Sequence, residues 1–170
     1  DIANAILDGT DAVMLSEESA LGEYPVEAIE MMSRVAITVE ASLKKESTKK
    51  ISITDTISEG VGRVALDVKA KLIVVLTRSG TSAQLVARFK PDCPIIAITK
   101  HSETVEKLTL VRGVYAYLNE SQEETHDVSN FVPKFLLQHK LAKKGDTIVV
   151  VASISSGKHR STNMLSVIAV

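Results

Sequence analysis

The sequence predicts an α/β protein: a three-layer α/β/α fold with a mainly parallel five-stranded sheet and an antiparallel last edge strand, preceded by a separate strand–helix unit. From residue 53 onward, continuous apolar runs alternate with amphipathic helical patterns, which is typical of parallel strands covered by helices on both faces. The last connection, residues 153–163, has no helical pattern, so the final strand is expected to run antiparallel. Before residue 44 one predicted strand stands alone. Because a lone strand cannot satisfy its edges, this unit is expected to belong to a larger sheet.

The composition is that of a globular protein and argues against several classes of partner. With 170 residues, 45% hydrophobic and 24% charged, the chain can bury the core of one domain and a small appendage. A net charge of −1, no tryptophan and no long apolar run argue against a nucleic-acid or membrane partner. The single cysteine, Cys93, cannot form an internal disulfide, which suits a reducing cytosol, and a cytoplasmic location is expected.

The first region, residues 1–43, is predicted to contain a helix, a strand and a second helix. Asp1–Leu7 has helical character from its first residue and no initiating methionine, which suggests excision from a longer chain. Asp11–Ser16 is a short apolar run, interpreted as a buried strand. Pro25 suits the first position of a helix, whose apolar residues recur at helical spacing: Val26, Ile29, Met32, Val35, Ala36, Val39 and Leu43.

Residues 44–52 form the predicted linker. The run from Lys44 to Lys50 lacks apolar anchors, and its clustered lysines repel one another. The predicted boundaries are therefore a strand–helix unit over residues 1–43 and an α/β domain over residues 53–170.

The second region alternates helix and strand. Its first helix carries Ile57, Val61, Val64 and Val68, and the spacing of Thr56 and Glu59 is that of a capping box with Thr56 at the N-cap. Further helices are predicted over Ser82–Phe89, Ser102–Leu110 and Thr125–Leu141. Strands are predicted over Lys71–Leu76, Pro94–Ile98, Val114–Leu118, Thr147–Ala152 and Met164–Val170.

The loop after the first of these strands is a candidate phosphate site. It reads Thr77, Arg78, Ser79, Gly80, Thr81 and Ser82. Ligands of α/β sheets bind at the carboxyl ends of strands, where free backbone N–H groups at a helix start favour an anion. The hydroxyls add donors, and Gly80 permits close backbone approach. A turn with an N-cap requires the same residue types, so both interpretations stay open on these residues alone.

Other polar positions carry weaker signals. The segment from Ser155 to Thr162, between the last two strands, is a second candidate. With its possible cations Lys158, His159 and Arg160 it could bind a second phosphate or a carboxylate, or it could be an ordinary solvated hairpin loop. The four histidines lack metal-ligand spacing, and no metal site is predicted. Glu17 and Glu18 are adjacent carboxylates that could serve acid–base chemistry or metal binding, or be solvated turn residues.

Two long motifs resemble the pyruvate kinase family. The segment from Asp1 to Ser16, followed by Glu18, Gly22, Tyr24, Pro25 and Ala28, is similar to the last strand–helix unit of that family's catalytic (β/α)8 TIM barrel. The segment from Thr77 to Thr99 is similar to the signature of its C-terminal domain. The resemblance covers essentially the whole chain in the family's order.

The resemblance implies a part of an enzyme of glycolysis. The family transfers a phosphoryl group from phosphoenolpyruvate to ADP, giving pyruvate and ATP, with Mg²⁺ and often K⁺. Ser16 and Glu18 would border the active site, whereas the main catalytic residues would lie upstream of Asp1, so the isolated chain is expected to be inactive. No cofactor is expected within this chain itself.

The resemblance also implies regulation and assembly. The family's C-terminal domain binds phosphorylated effectors at the loop that matches Thr77–Ser82, with Lys158, His159 and Arg160 as a candidate second contact. The intact enzyme is usually a homotetramer. Thr81 stands where the family often has a basic residue, and Glu17 and Ser19 depart from its Gly-Glu-Thr pattern. The alternatives are a stand-alone phospholigand sensor and a purely structural oligomerisation domain.

Overall fold

The chain forms two compact units, Asp1–Ser47 and Thr48–Val170. The structure, a computed structural model, describes residues 1–43, 53–119, 127–152 and 162–170. The predicted linker, residues 44–52, lies outside the described residues.

The first unit is helical. It contains α1 (Ile2–Leu7), α2 (Glu17–Ala20) and α3 (Pro25–Glu40). Pro25 occupies the first turn of α3, where its missing N–H costs no hydrogen bond, which confirms the predicted start of that helix. Within the described part of this unit, Ile6 is the one buried hydrophobic side chain.

The predicted strand Asp11–Ser16 is wrong. Residues 11–15 carry no strand, Met14 is 87% exposed, and Ser16 is the N-cap of α2. The physical reason is that a strand must pair its backbone with a second strand, and the described residues of this unit contain no strand. The run has the apolar composition of a strand, but a strand also needs a neighbouring strand, which a local sequence cannot supply.

The second unit is built on a five-stranded sheet, as predicted. Its strands are β1 (Leu72–Leu76), β2 (Ile95–Thr99), β3 (Val114–Leu118), β4 (Thr147–Ala152) and β5 (Met164–Ala169). Their order is β3-β2-β1-β4-β5, so β1 is central and β5 is an edge. All neighbouring pairs are parallel except β4 with β5, which confirms the antiparallel last strand.

Helices cover both faces of this sheet and complete the three layers. The described helices of the unit are α4 (Ile53–Asp67), α5 (Thr81–Arg88), α6 (Ser102–Leu108) and α7 (Val128–Gln138). One core joins the sheet to side chains of α4, α5 and α6, and the other joins it to α7. Because β1, β2 and β4 are buried on both faces, their sequences are continuous apolar runs.

One predicted helix start differs from the structure, and another lies outside the described residues. Helix α4 already includes Ile53, so Thr56 lies inside the helix and cannot be its N-cap as the capping-box spacing suggested. Helix α7 begins at Val128, where the Asp127 side chain accepts a hydrogen bond from the Asn130 N–H and caps the first turn, whereas the predicted start, Thr125, lies outside the described residues. No helix in the described ranges is both long enough and apolar enough to cross a membrane.

Candidate functional site

The predicted phosphate loop lies at the carboxyl end of the central strand. It leaves β1 at Leu76, and the Thr77 N–H donates to the Ile98 carbonyl of β2 at 3.0 Å. Helix α5 begins at Thr81. Since β1, β2 and β4 are parallel, their carboxyl ends meet at this edge of the sheet, where ligands of open α/β folds bind.

Gly80 shapes the loop. It is the N-cap of α5 and has φ +86° and ψ −15°, in the left-handed region. Its N–H donates to Thr77 Oγ1 at 3.0 Å, and its carbonyl accepts from the Gln84 N–H at 3.0 Å. A Cβ at this position would lie 3.2 Å from Leu108 Cδ2, so the backbone runs close against α6. The loop therefore needs glycine for both conformation and packing.

The hydroxyls of the loop already have partners inside the protein. Ser79 Oγ and Thr81 Oγ1 are 3.0 Å apart, and both residues are exposed. Ser82 Oγ lies 2.6 Å from Thr162 Oγ1, and Thr162 is 3% exposed. A hydroxyl has one donor and two acceptor positions, so each can hold its present partner and still contact a ligand.

Several backbone N–H groups at the start of α5 have no acceptor among the described residues. The Gly80 N–H is satisfied by Thr77, but no acceptor among the described residues is recorded for the N–H groups of Thr81, Ser82 and Ala83. The first turn of α5 contains no acidic residue that would compete for them. The partial positive charge of a helix N-terminus, with the exposed Arg78 beside it, favours an anion at this point.

Two threonines of this site, Thr99 and Thr104, were not predicted as site residues. A third, Thr162, is the last residue of the second candidate segment, and it pairs with Ser82 across 80 positions of chain. Thr99 ends β2 and Thr104 lies in α6, and both hydroxyls donate to the Arg78 carbonyl, at 3.4 and 2.8 Å. The alternation of strands and helices in the sequence could have identified Thr99. It predicts that β1 and β2 are neighbouring parallel strands, so the residue that ends β2 lies beside the loop that follows β1.

The second candidate contact, Lys158, His159 and Arg160, lies outside the described residues. In the first unit, Glu17 and Glu18 are exposed in α2, and the Ser16 N–H donates to Glu18 Oε2 at 3.1 Å. Hydrogen bonds from the backbone N–H groups of Glu18 itself and of Ser16 lower the pKa of the Glu18 carboxyl. The described residues contain no group of three or more His, Cys, Asp or Glu side chains suited to a metal ion.

The α/β domain matches the model of a known protein family. A family model described as "Pyruvate kinase, alpha/beta domain" matches residues 55–168. The chain belongs to the pyruvate kinase family. A second model, "Pyruvate kinase, barrel domain", matches residues 1–29, so the chain corresponds to the C-terminal part of pyruvate kinase. The resemblance seen in the sequence motifs is thereby confirmed.

Individual pyruvate kinases are similar over nearly the whole chain. The enzyme of Dictyostelium discoideum is 38% identical over 100% of this chain and 36% of its own length. That of Geobacillus stearothermophilus is 38% identical over 98% of this chain and 30% of its own length. A solved structure of Cryptosporidium parvum pyruvate kinase in complex with ADP matches with a TM-score of 0.77 at 30% identity, covering 99% of this chain and 36% of that one. The chain thus spans about a third of the length of these relatives.

Proposed function

We propose that this chain is the C-terminal region of a pyruvate kinase and that its α/β domain binds a phosphorylated small-molecule effector. The whole enzyme would transfer a phosphoryl group from phosphoenolpyruvate to ADP, in the cytoplasm, as a step of glycolysis. Residues 1–43 would be the last strand–helix unit of the catalytic barrel, joined by the linker 44–52 to the effector domain 53–170. The domain would also contribute contacts to a homo-oligomer, a tetramer in the intact enzyme.

One observation carries the effector proposal: the start of α5 offers several donors at the carboxyl end of the central strand. The N–H groups of Thr81, Ser82 and Ala83 lack a recorded acceptor within the described ranges, and the exposed Ser79 and Thr81 hydroxyls lie beside them. Arg78 is exposed in the same loop and adds a cation. A phosphate would accept hydrogen bonds from these groups and be favoured by the helix dipole. Lys158, His159 and Arg160 are proposed as a second contact.

The catalytic step would use residues beyond this chain. Phosphoryl transfer depends on positioned metal ions and cations that offset the developing charge. By the resemblance to the family, Mg²⁺ and K⁺ would be held by the two thirds of the enzyme that this chain does not span. Ser16 and Glu18 would lie at the border of the active site. We expect the isolated chain to show no turnover of phosphoenolpyruvate and ADP.

A structural role for the loop is the competing hypothesis. It is favoured by the internal bonds of Thr77 with Gly80, Ser79 with Thr81 and Ser82 with Thr162, which would also suit a simple turn. In that case the domain would serve oligomerisation alone. A stand-alone phospholigand sensor is less favoured, because the first 29 residues match the barrel domain of the family.

Calorimetry on the full chain separates these hypotheses. We expect heat of binding with a sugar bisphosphate, a sugar monophosphate or adenosine monophosphate, and about a tenfold weaker affinity after Ser79→Ala or Ser82→Ala, because each loses a donor to a charged group. Ser102→Ala is the matched control, since Ser102 is an exposed serine at the start of the neighbouring helix α6. Silence of all three ligands at millimolar concentration would leave the structural role as the better explanation.

In the intact enzyme the same variants test regulation. Coupling between an effector site and an active site is typically about 1–3 kcal/mol. We therefore expect Ser79→Ala and Ser82→Ala to weaken activation with little change in the maximal rate. An equal loss of activation and of maximal rate would contradict the effector assignment.

A further inference from the structure

The carbonyl of Arg78 is anchored by two buried threonines. It accepts from Thr104 Oγ1 of α6 at 2.8 Å and from Thr99 Oγ1 of β2 at 3.4 Å. Thr104 is 4% exposed and Thr99 is 2% exposed, so the carbonyl points into the packed edge between β1, β2 and α6. Turning the carbonyl away would break these hydrogen bonds and leave the two buried hydroxyls without this acceptor, so the bonds stabilise the inward orientation.

The direction of this carbonyl also determines the direction of the next N–H. The peptide between Arg78 and Ser79 is trans, and in a planar trans peptide the N–H points opposite to the C=O. The Ser79 N–H therefore points away from the buried threonines. Ser79 itself is exposed, and no acceptor for its N–H is recorded in the part of the chain that the structure describes.

The same helix also supports Gly80. The hypothetical Cβ at Gly80 would be 3.2 Å from Leu108 Cδ2 and 3.4 Å from Thr104 Cγ2, and Leu108 is fully buried. Thr99 Oγ1 in turn accepts from the His101 N–H at 3.3 Å, which ties the start of α6 to the end of β2. Helix α6 thus contacts two residues of the loop that flank Ser79: Arg78 through a hydroxyl and Gly80 through apolar groups.

We propose that Thr104, assisted by Thr99, is a positioning residue that aims the Ser79 N–H at the bound anion. This rests on the proposed function of the loop as a phosphate site. By holding the Arg78 carbonyl inward, the two hydroxyls remove an oxygen that would repel an anion and expose a donor in its place. Neither threonine touches the ligand; both act through the Arg78–Ser79 peptide.

A pair of variants separates the hydroxyl from the shape of the side chain. Thr104→Val keeps the branched shape against Gly80 but removes the donor to Arg78, whereas Thr104→Ser keeps the donor and removes the methyl group. Thr109→Val is the control, because Thr109 is an exposed residue at the end of the same helix whose hydroxyl bonds to Glu106 and not to the loop.

Two NMR measurements on the full chain provide the readout. The first is titration with inorganic phosphate, followed at the Ser79 amide: we expect about tenfold weaker binding for Thr104→Val and near wild-type binding for Thr104→Ser and Thr109→Val. The second needs no ligand. Rotation of the Arg78–Ser79 peptide changes the distance between the Arg78 Hα and the Ser79 amide proton, so the NOE between them should change in Thr104→Val alone.

The outcomes are distinguishable. An unchanged NOE in Thr104→Val would overturn the orienting role, whatever the affinity for phosphate. A changed NOE with unchanged phosphate affinity would show that the Ser79 N–H is not a ligand donor, and the inference would fail. If the wild-type chain binds none of the phosphate compounds, the proposed effector function fails, and the orienting role is then judged by the NOE.

Discussion

Gly80 combines two constraints at the scale of a single residue. Its φ of +86° lies in the region that residues with a Cβ rarely adopt, and the space where a Cβ would sit is already occupied by Leu108 of α6. Gly113 meets the first constraint without the second, because its φ is +73° and nothing lies within 4 Å of its hypothetical Cβ. The comparison of the two glycines separates backbone strain from packing.

We predict that Gly80→Ala destabilises the fold more than Gly113→Ala does. The left-handed conformation costs an alanine about 1–2 kcal/mol at either position. At Gly80 the contact with Leu108 adds an overpacking cost of about 1–3 kcal/mol, because Leu108 is fully buried and has little room to move. Urea denaturation of both variants measures the free energy of unfolding. Equal losses would show that the loop relaxes away from α6.

At the scale of an element, α7 shows how a helix position decides the cost of a substitution. Its inner face buries Val132, Phe135 and Leu136 against the sheet, forming the core on that side. The ring of Phe135 stacks on His139 at 4.1 Å between centroids and meets Tyr117 of β3 edge-on at 5.9 Å. Leu137, the next residue, is 37% exposed. One face of α7 therefore packs against the sheet, and the other is exposed to solvent.

We predict that Leu136→Ala lowers the free energy of unfolding by about 2–5 kcal/mol, since it leaves a cavity at a fully buried position. Leu137→Ala is the matched control, with the same side-chain loss one residue later, and should cost about 1 kcal/mol or less. Thermal or urea unfolding followed by circular dichroism gives both values. If the two variants lose the same stability, α7 does not pack on the sheet through the face described.

At the scale of the whole molecule, the two units differ in how much apolar surface they bury. The second unit has two cores, one on each face of its sheet, whereas the described residues of the first unit contain one buried hydrophobic side chain, Ile6. Helix α3 leaves Val26, Ile29, Met31 and Ile37 more than half exposed. Apolar burial is the main favourable term in folding, so the units should differ in local stability.

We predict that hydrogen exchange separates the units. The backbone N–H groups of β1 and β4, in the centre of the sheet, should exchange by global unfolding and be the slowest. Those of α3 should exchange orders of magnitude faster, because opening this helix exposes little additional apolar surface. Mass spectrometry of exchanged, digested protein measures both. Comparable protection of α3 and β1 would mean that α3 is stabilised by burial that the structure does not show.

Much of the second unit could be predicted from its sequence, because the determinants are local. The runs around Ile73, Ile96 and Val149 are apolar on both faces, so their burial and parallel pairing follow from the pattern. The strand predicted at Asp11–Ser16 has a similar composition but failed, because a strand needs a neighbour that local composition cannot provide. The capping box at Thr56 failed for a related reason: the spacing of two residues cannot tell a helix start from a helix interior.

The sequence alone determined the family, the order of helices and strands, and the loop Thr77–Ser82 as a candidate anion site, because each follows from residues adjacent in the chain. Tertiary structure decided how that loop is held. Thr99, Thr104, Leu108 and Thr162 reach it from other elements, as far as 80 positions away, and neither their distances nor the direction of the Arg78 carbonyl is encoded in any local pattern. Hydrogen bonds between distant residues exist only once the parallel strands have brought their carboxyl ends to one edge of the sheet.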